Sequence, residues 1–350
     1  MAADDPLRTA VQRYCTSIAR DRLLVQAAGG NVSWKSENTL WIKASGTWLA
    51  DAEQKGIFVP VDRLSVNAAL ERGDYSINPR VLEGYTLRPS IETLLHALMP
   101  HRFVVHLHPV DAVVHLARSN CRPVLQAALG DAFTWELVDY YKPGADLAQA
   151  VHAKLHHNPG IQVVLLKNHG VILGAETLEE IDANLKTLCR RLSTRPRPLD
   201  DTGAGAPGLA AITLDDTAYR VSLDAQLQCL ATDPDLYDRL GDSWAICPDH
   251  VVFLGAHAVC LDNPEALRST LMAADPAPPF VFVKNVGVIQ NRSVTSAQKA
   301  QLTFYLDVMT RQPMGLLLDP LSPEQISSLL NWDAEQYRLT LNQSAPTSRH

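Results

Sequence analysis

The chain has 350 residues, 46% of them hydrophobic, and a formal net charge of -7, so it is long enough for two ordinary globular domains. The negative charge argues against nucleic acid or anionic lipid as the main partner, and no apolar run approaches the roughly 20 residues that span a bilayer. The N-terminus lacks the layout of a signal peptide, and six widely spaced cysteines indicate reduced thiols, so a cytoplasmic protein is expected.

The first predicted elements are a helix, a hairpin and two small turns. Apolar residues recur at helical spacing over residues 6–27, and a Gly-Gly-Asn turn at residues 29–31 then ends the helix. Residues 32–34 and 40–44 are predicted to be strands joined by a polar turn. The sequence Ser-Gly-Thr at residues 45–47 follows as a loop. Both small turns can offer open amides and hydroxyl groups to a phosphate or carboxylate, although turn formation alone also explains them.

The next stretch carries one carboxylate and two histidines. Residues 89–99 are predicted to be a helix that includes Glu92, and residues 103–108 are predicted to be a strand that ends on His106 and His108. Residues two positions apart on a strand share a face, so the two imidazoles point the same way. They are therefore suited to bind one ion.

A third histidine follows a second apolar strand. Residues 161–166 predict a strand that is buried on both faces, and His169 comes almost directly after it in the sequence Lys-Asn-His-Gly. A capping box formed by Thr177 and Glu180 begins the helix predicted for residues 177–192. Three neutral imidazoles at strand ends are a common ligand set for zinc, with a fourth position open to substrate or water.

Glu92 is the candidate base beside these histidines. A helix that packs back on the strand could bring its carboxylate near the metal, where it could remove a proton from the carbon next to a polarised carbonyl. By itself, a helical glutamate is usually a solvated surface residue. His96 lies four residues later on the same helical face and is a candidate to orient the carboxylate. The remaining histidines are interpreted as surface or packing residues.

The rest of the chain is predicted to contain a linker and a smaller second domain. The linker is rich in proline, glycine and aspartate. We therefore divide the chain into a catalytic domain (1–195), a linker (196–211), a second domain (212–340) and a tail (341–350). Within the second domain we predict strands at residues 251–254 and 280–284. We predict helices at residues 263–274 and 296–310.

The second domain repeats one pattern of the first. Residues 163–172 and residues 280–289 each form an apolar strand that leads into Lys-Asn-X-Gly-Val-Ile. Val286 occupies the position in the second pattern that corresponds to His169 in the first. We interpret the second domain as a degenerate echo of the first that serves folding and assembly without this metal site, and a chance match is the alternative.

Five motifs, taken in order, resemble the class II aldolase/adducin family over roughly residues 5–195. They are Gly30-Asn31-Val32-Ser33, Lys43-Ala44-Ser45-Gly46, Pro89-Ser90-Ile91-Glu92, His106-Leu107-His108 and Asn168-His169-Gly170. The details are most similar to the aldolase part of predicted rhamnulose-phosphate aldolase/alcohol dehydrogenase proteins.

The resemblance implies an α/β fold with a central, mostly antiparallel sheet flanked by helices, to which we add the smaller α/β C-terminal domain. It also implies a homo-oligomer, a tetramer in many relatives, with active sites between subunits. The implied roles are metal ligand for His106, His108 and His169, acid/base for Glu92, and substrate-phosphate pocket for Asn31, Ser45, Gly46 and Ser90. The metal is usually Zn²⁺, although another divalent ion is an alternative. Many family members carry a second serine where this chain has Ile91, which removes a hydroxyl group from the implied phosphate pocket.

The first functional hypothesis is a metal-dependent lyase for reversible aldol (C–C) cleavage. A keto sugar or sugar phosphate would react through a zinc-stabilised enediolate, with Glu92 moving the proton. A decarboxylase, dehydratase or epimerase could use the same site, and a non-catalytic adducin-like assembly protein is the alternative of a different class. The complete set of three histidines and one glutamate favours an enzyme with a small carbohydrate substrate.

Overall fold

The computed structural model describes residues 6–199, 214, 218–330 and 332–343. The described residues group into two compact units. Unit 1 lies within Met1–Ser193 and Asp333–Ser344, and unit 2 lies within Thr194–Trp332. The expected linker falls mostly outside the described residues, as does most of the expected tail.

Unit 1 begins with seven strands and seven helices. They are α1 (Pro6–Ile18), β1 (Asn31–Ser36), β2 (Thr39–Lys43), β3 (Phe58–Asp62), α2 (Arg63–Glu71), α3 (Thr93–Leu98), β4 (Phe103–Leu107), α4 (Val110–Leu116), α5 (Cys121–Leu129), β5 (Trp135–Val138), α6 (Ala145–His157), β6 (Val163–Leu166), β7 (Gly170–Ala175) and α7 (Leu178–Arg191). The strands form one sheet in the order β3-β2-β1-β4-β7-β6-β5, in which only β5 and β6 are parallel.

Both faces of this sheet are covered by helices because its strands carry apolar residues on both sides. Val105 and Leu107 of β4 pack into one core cluster with residues of α1, α4, α5 and α7. Val104 packs into the opposite cluster with residues of α2, α3 and α6. Side chains alternate between the faces, so His106 lies on the same face as Val104, which is the face that α3 covers. The sheet therefore directs His106 towards the helix that follows Glu92.

Unit 2 contains a smaller sheet with its own helices. Its elements are β8 (Tyr219–Val221), α8 (Ala225–Thr232), α9 (Pro234–Asp242), α10 (Pro248–Leu254), β9 (Val259–Leu261), α11 (Leu267–Ala273), β10 (Phe280–Val283), β11 (Gly287–Asn291), α12 (Ser296–Met309) and α13 (Pro323–Leu330). The strand order is β8-β11-β10-β9, with β9 and β10 parallel and the other pairs antiparallel.

The last described helix belongs to unit 1. This helix, α14 (Asp333–Gln343), follows unit 2 in the chain but packs with the first unit. The sequence had assigned residues 212–340 to the second domain, and the structure differs because α14 contacts a loop after β2, as described below. Linker composition gives no signal that a chain returns to an earlier core.

The fold class predicted from the sequence is confirmed. Unit 1 has a central, mostly antiparallel sheet flanked by helices, and unit 2 is a smaller α/β unit. Some local predictions were wrong. Residues 251–254 lie in helix α10 rather than in a strand, and the first helix ends at Ile18 rather than near residue 27. All six cysteines are free thiols. None of the helices in the described part of the chain is both long and apolar enough to cross a bilayer.

Candidate metal centre

Three histidines meet at one end of the large sheet. His106 lies on β4 opposite Ile172 of β7, and His108 follows two residues later on the same face. The turn between β6 and β7 carries His169. One nitrogen from each ring lies within 4.8 Å of the others, and all three side chains are buried. The structure thus brings together the three histidines that the sequence singled out.

The backbone of the β6–β7 turn accounts for this convergence. Asn168 has a φ of 53°, in the left-handed region that asparagine tolerates better than most residues. A Cβ atom on Gly170 would lie 2.4 Å from the Leu107 carbonyl oxygen and 2.6 Å from the His108 ring. Only glycine therefore lets β7 approach β4 closely enough to hold His108 beside His169.

The hydrogen bonds of His106 fix which nitrogen faces the cluster. Its Nδ1 lies 3.0 Å from the Val171 carbonyl oxygen, which can only accept, so Nδ1 carries the proton. Its Nε2 lies 3.0 Å from Nε2 of His108. Two nitrogens bound to one tetrahedral Zn²⁺ at about 2.0–2.1 Å would be roughly 3.3 Å apart. The donor set and its spacing therefore fit a zinc-sized divalent cation.

The Glu92 carboxylate lies against the same cluster. Oε2 is 3.3 Å from Nε2 of His106, and Oε1 is 3.4 Å from Nε2 of His169. Asn31 donates from Nδ2 to Oε2 at 2.9 Å. Glu92 is buried, so its oxygens exchange few contacts with solvent. A carboxylate with these neighbours is held in one place and is suited to proton transfer.

Opposing influences act on the pKa of Glu92. Burial raises it, whereas electrostatic interactions with His106, His169 and Arg338 and the Asn31 hydrogen bond lower it, and the net effect is a lowered pKa. Glu92 is therefore ionised, as a base must be. The buried Oδ1 of Asn31 has no hydrogen-bond partner among the described residues, so this amide has a polar atom left for a bound molecule.

The other residues of the implied substrate pocket lie on two segments that run side by side. Ala44 and Pro89 form an antiparallel bridge, which places Ser45 beside the segment of Ser90. The amide of Ser45 donates to the Arg88 carbonyl at 2.9 Å. Ser90 accepts a hydrogen bond from the amide of Glu92 through its Oγ at 3.2 Å. These contacts tie the Ser45–Gly46 loop to the carboxylate.

One prediction about His96 is wrong. Its Nδ1 lies 2.7 Å from Ser33 Oγ, so the ring is directed to that hydroxyl group and not to the Glu92 carboxylate. Glu92 occupies the N-cap position of α3, with φ -99° and ψ 17°, rather than a place inside the helix. The i, i+4 relation between helical side chains therefore does not hold for this pair.

Two contributors to the site were assigned no role from the sequence. Lys43 is buried, and its Nζ donates to the carbonyls of Ala28 and Thr47 at 3.1 and 2.7 Å, which links the two small turns. Its position at the end of an apolar strand was the available signal. Helix α14 also reaches the site, and Asn342 Nδ2 lies 3.5 Å from the Gly46 carbonyl. No sequence pattern indicated that approach.

Comparison with known proteins gives a family for the larger unit. Residues 9–192, more than half of the chain, match the family model for the class II aldolase and adducin N-terminal domain. The uncharacterized oxidoreductase YuxG of Bacillus subtilis (strain 168) is 30% identical over 179 residues. That match covers 46% of this chain and 25% of YuxG, so the chain spans about a quarter of that relative's length.

Solved structures also show similarity. The N-terminal class II aldolase domain of a conserved protein from Thermoplasma acidophilum has a TM-score of 0.44 and 25% identity, covering 52% of this chain and 90% of that one. A sugar-phosphate aldolase from Thermotoga maritima has a TM-score of 0.40 and 18% identity, covering 55% of this chain and 97% of that one.

Proposed function

The chain belongs to the class II aldolase and adducin family, and we propose on this basis that it is a metal-dependent lyase. The proposed reaction is the reversible aldol cleavage of a C–C bond in a keto sugar or sugar phosphate. The proposed metal is Zn²⁺, held by His106, His108 and His169. The proposed acid/base is Glu92, and the proposed substrate pocket comprises Asn31, Ser45, Gly46 and Ser90.

One observation carries the proposal. The buried Glu92 carboxylate lies 3.3 and 3.4 Å from ring nitrogens of His106 and His169, against a buried three-histidine cluster. A purely structural protein gains little from burying a carboxylate among three imidazoles, because burial of polar groups costs free energy. A lyase needs this arrangement, since it combines a cation site with a base.

The proposed chemistry divides between the cation and the chain. A divalent metal bound by the three histidines would supply a Lewis acid for the keto oxygen of the substrate. The chain supplies the proton transfers. In the cleavage direction, Glu92 takes the proton from the substrate hydroxyl, the adjacent C–C bond breaks, and its electron pair moves toward the keto group. Glu92 then returns the proton to the carbon that was released.

The partners of Glu92 prepare it for this role. Asn31 donates a hydrogen bond to Oε2 of Glu92. We propose that the other oxygen, Oε1, transfers the proton. The amide of Glu92 donates to Ser90 Oγ, which fixes the backbone where α3 begins. Such orientation lowers the entropy that must be lost before reaction.

Metal analysis with activity measurements tests the proposal. Purified protein is expected to hold about one divalent metal per chain and to cleave at least one member of a set of sugar phosphates, unphosphorylated keto sugars and keto acids. His106→Ala is expected to lose both the metal and the cleavage activity. His157→Ala, which changes an exposed histidine on α6, is the matched control and is expected to keep both.

Product analysis separates the related reactions. Two carbonyl products indicate aldol cleavage, whereas CO₂, loss of water or an inverted stereocentre would indicate a decarboxylase, a dehydratase or an epimerase at the same residues. Metal-free protein whose lyase activity survives His106→Ala would rule the proposal out. A protein that binds metal but turns over none of these substrates would favour the assembly role instead.

A further inference from the structure

Helix α14 is fastened to the loop of the proposed substrate pocket. Trp48 donates from Nε1 to Oδ1 of Asn342 at 2.8 Å, and Asn342 Nδ2 lies 3.5 Å from the Gly46 carbonyl oxygen. At the first residue of the helix, Asp333 Oδ2 lies 3.4 Å from Nη1 of Arg88, whose guanidinium also lies over the Tyr337 ring at 4.5 Å. Contacts at both ends therefore hold α14 across the segments that carry Ser45 and Ser90.

The loop is shaped to receive the helix. Gly46 has a φ of 75°, and a Cβ atom there would lie 2.8 Å from Cδ1 of Leu341. Glycine is therefore required both by the left-handed backbone and by the close approach of α14. The helix thus forms one wall of the loop rather than passing at a distance.

The same face of α14 carries a buried ion pair. Arg338 precedes Leu341 and Asn342 by three and four residues, so it shares their side of the helix. Its Nη1 lies 3.1 and 2.9 Å from the two carboxylate oxygens of Glu335. The side chains are 11% and 2% exposed. The backbone carbonyl of Arg338 accepts a hydrogen bond from Asn342 Nδ2 at 2.8 Å, so Arg338 lies one turn before the residue that contacts the Gly46 loop.

Stability alone does not explain why this ion pair is buried. Removing two charges from water costs about as much as their attraction returns, and a hydrophobic pair would stabilise the helix equally well. Guanidinium groups are the usual choice where a carboxylate or phosphate must be recognised, because their planar donors match those anions. A Glu335 carboxylate that fixes Arg338 in place is consistent with such a role.

Resting on the proposed lyase function, we propose that Arg338 binds the anionic group of the substrate, and that α14 supplies this part of the pocket. The anion is a phosphate ester or a carboxylate on a small keto compound. The proposal also accounts for Ile91, which stands where many family members carry a second serine: a cation delivered by α14 replaces a hydroxyl group of the implied phosphate pocket. The buried Lys43 amine, bonded to the Thr47 carbonyl, adds positive charge on the strand side of the loop.

Calorimetric binding to the metal-loaded full chain tests the proposal with three matched keto compounds. Dihydroxyacetone phosphate carries a phosphate, hydroxypyruvate carries a carboxylate, and dihydroxyacetone is uncharged. The unmodified protein is expected to bind at least one anionic compound more tightly than dihydroxyacetone. Arg338→Met is expected to weaken that binding roughly 10- to 100-fold and to change the binding of dihydroxyacetone less than about twofold, since charged hydrogen bonds have that strength.

Two further variants separate recognition from packing. Arg338→Lys keeps the charge without the planar fork and is expected to fall between Met and the unmodified protein. Arg122→Met removes an exposed guanidinium on α5, away from α14, and is the matched control, expected to leave the preference for the anion unchanged. Two outcomes would overturn the proposal. One is that the unmodified protein prefers neither anion, and the other is that Arg338→Met weakens the binding of charged and uncharged compounds equally.

The two proposals can fail separately. Metal content and the effect of His106→Ala report on the lyase function, whereas the difference between charged and uncharged ligands reports on Arg338. If anion binding follows Arg338 but no cleavage is found, the reaction is wrong and the anion site stands. If cleavage is found and Arg338→Met does not alter the preference, the anion site is wrong and the lyase stands. Whichever anion binds more tightly identifies the substrate as phosphorylated or carboxylic.

Discussion

At the scale of single residues, the surroundings of Glu92 matter more than its position in the sequence. Its carboxylate is buried, accepts a hydrogen bond from Asn31 and lies beside two histidines. Substitution by glutamine keeps the size and one carbonyl oxygen for Asn31. It removes the proton acceptor, so it separates the chemical role of the side chain from its structural role.

Glu92→Gln is therefore expected to retain the metal and to lower turnover about 10²- to 10⁴-fold, the usual contribution of a general base. Metal content and the single-turnover rate on whichever substrate is cleaved are the measurements. Glu83→Gln, at an exposed glutamate, is the matched control and is expected to behave as the unmodified protein. Full activity in Glu92→Gln would remove Glu92 from the proposed reaction.

The sequence could indicate the ligand residues but not all of their partners. Strand periodicity showed that His106 and His108 share a face, and the third histidine followed another apolar strand. Asn31 lies 61 positions before Glu92, and nothing local pairs the two side chains. Arg338 lies farther still, on a helix whose return to unit 1 has no signal in composition. Contacts that depend on tertiary packing were the ones that sequence reasoning missed.

At the scale of elements, two turns in different units have the same construction. Asn168 and Asn285 both have left-handed backbone, with φ of 53° and 58°. The amide of Lys167 donates to the last carbonyl of β5, and that of Lys284 donates to the last carbonyl of β9, each at 2.9 Å. The helices α7 and α12 that follow each begin with a capping box. We propose that unit 2 repeats the β4–α7 part of unit 1.

The repeat predicts where a metal site was lost. His106 pairs with Ile172 in unit 1, and Val221 pairs with Ile289 in unit 2, so Val221 corresponds to His106. By the same register, His108 corresponds to Leu223 and His169 to Val286. All three ligand positions therefore carry apolar residues in unit 2.

Restoring those three histidines tests the repeat. The triple variant Val221→His, Leu223→His and Val286→His is expected to raise bound zinc from about one to about two per chain, because three imidazoles at one strand end suffice for a zinc site. Equilibrium dialysis with metal analysis is the measurement, and each of the three single variants, which cannot supply three ligands, is a control. A folded triple variant that binds no additional zinc would contradict the proposed correspondence.

Element type was predicted less securely than element position. Residues 251–254, Val-Val-Phe-Leu, have the composition of a buried strand. They lie in α10, where Pro248 occupies the first turn and every residue is buried. A short apolar run surrounded by protein has no polar face, so periodicity cannot distinguish a strand from a helix there. By contrast, α7 had a capping box and a long amphipathic pattern, and its predicted start agrees with the structure.

At the scale of the whole molecule, each unit buries a basic side chain, and burial destabilises the protonated form of that side chain. Burial lowers the pKa of Lys35 in unit 1 to about 7, with a further lowering by Arg63. The Lys35 amine donates to the carbonyls of Met99 and His101. Burial lowers the pKa of His250 in unit 2 to about 3, against a smaller opposing effect of Asp249.

These two groups predict how the stability of the protein depends on pH. An unfolded lysine titrates near 10.4 and an unfolded histidine near 6.5, so the unfolded chain binds more protons than the folded chain between pH 7 and 10.4 and between pH 3 and 6.5. The free energy of unfolding therefore rises with pH in both windows and falls as acid is added. Protonation of His250 in the unfolded chain alone therefore lowers the free energy of unfolding by about 2 kcal/mol at pH 5, relative to its value at pH above 7.

One variant in each unit separates the two windows. Lys35→Met is expected to flatten the rise of stability between pH 7 and 10, and His250→Leu is expected to flatten the rise between pH 4 and 6.5. Each variant serves as the control for the other, because it leaves the other unit's buried group in place. Denaturant unfolding across this pH range, followed by tryptophan fluorescence, gives the slopes. Curves for both variants that run parallel to that of the unmodified protein would show that neither buried group stays uncharged in the folded chain.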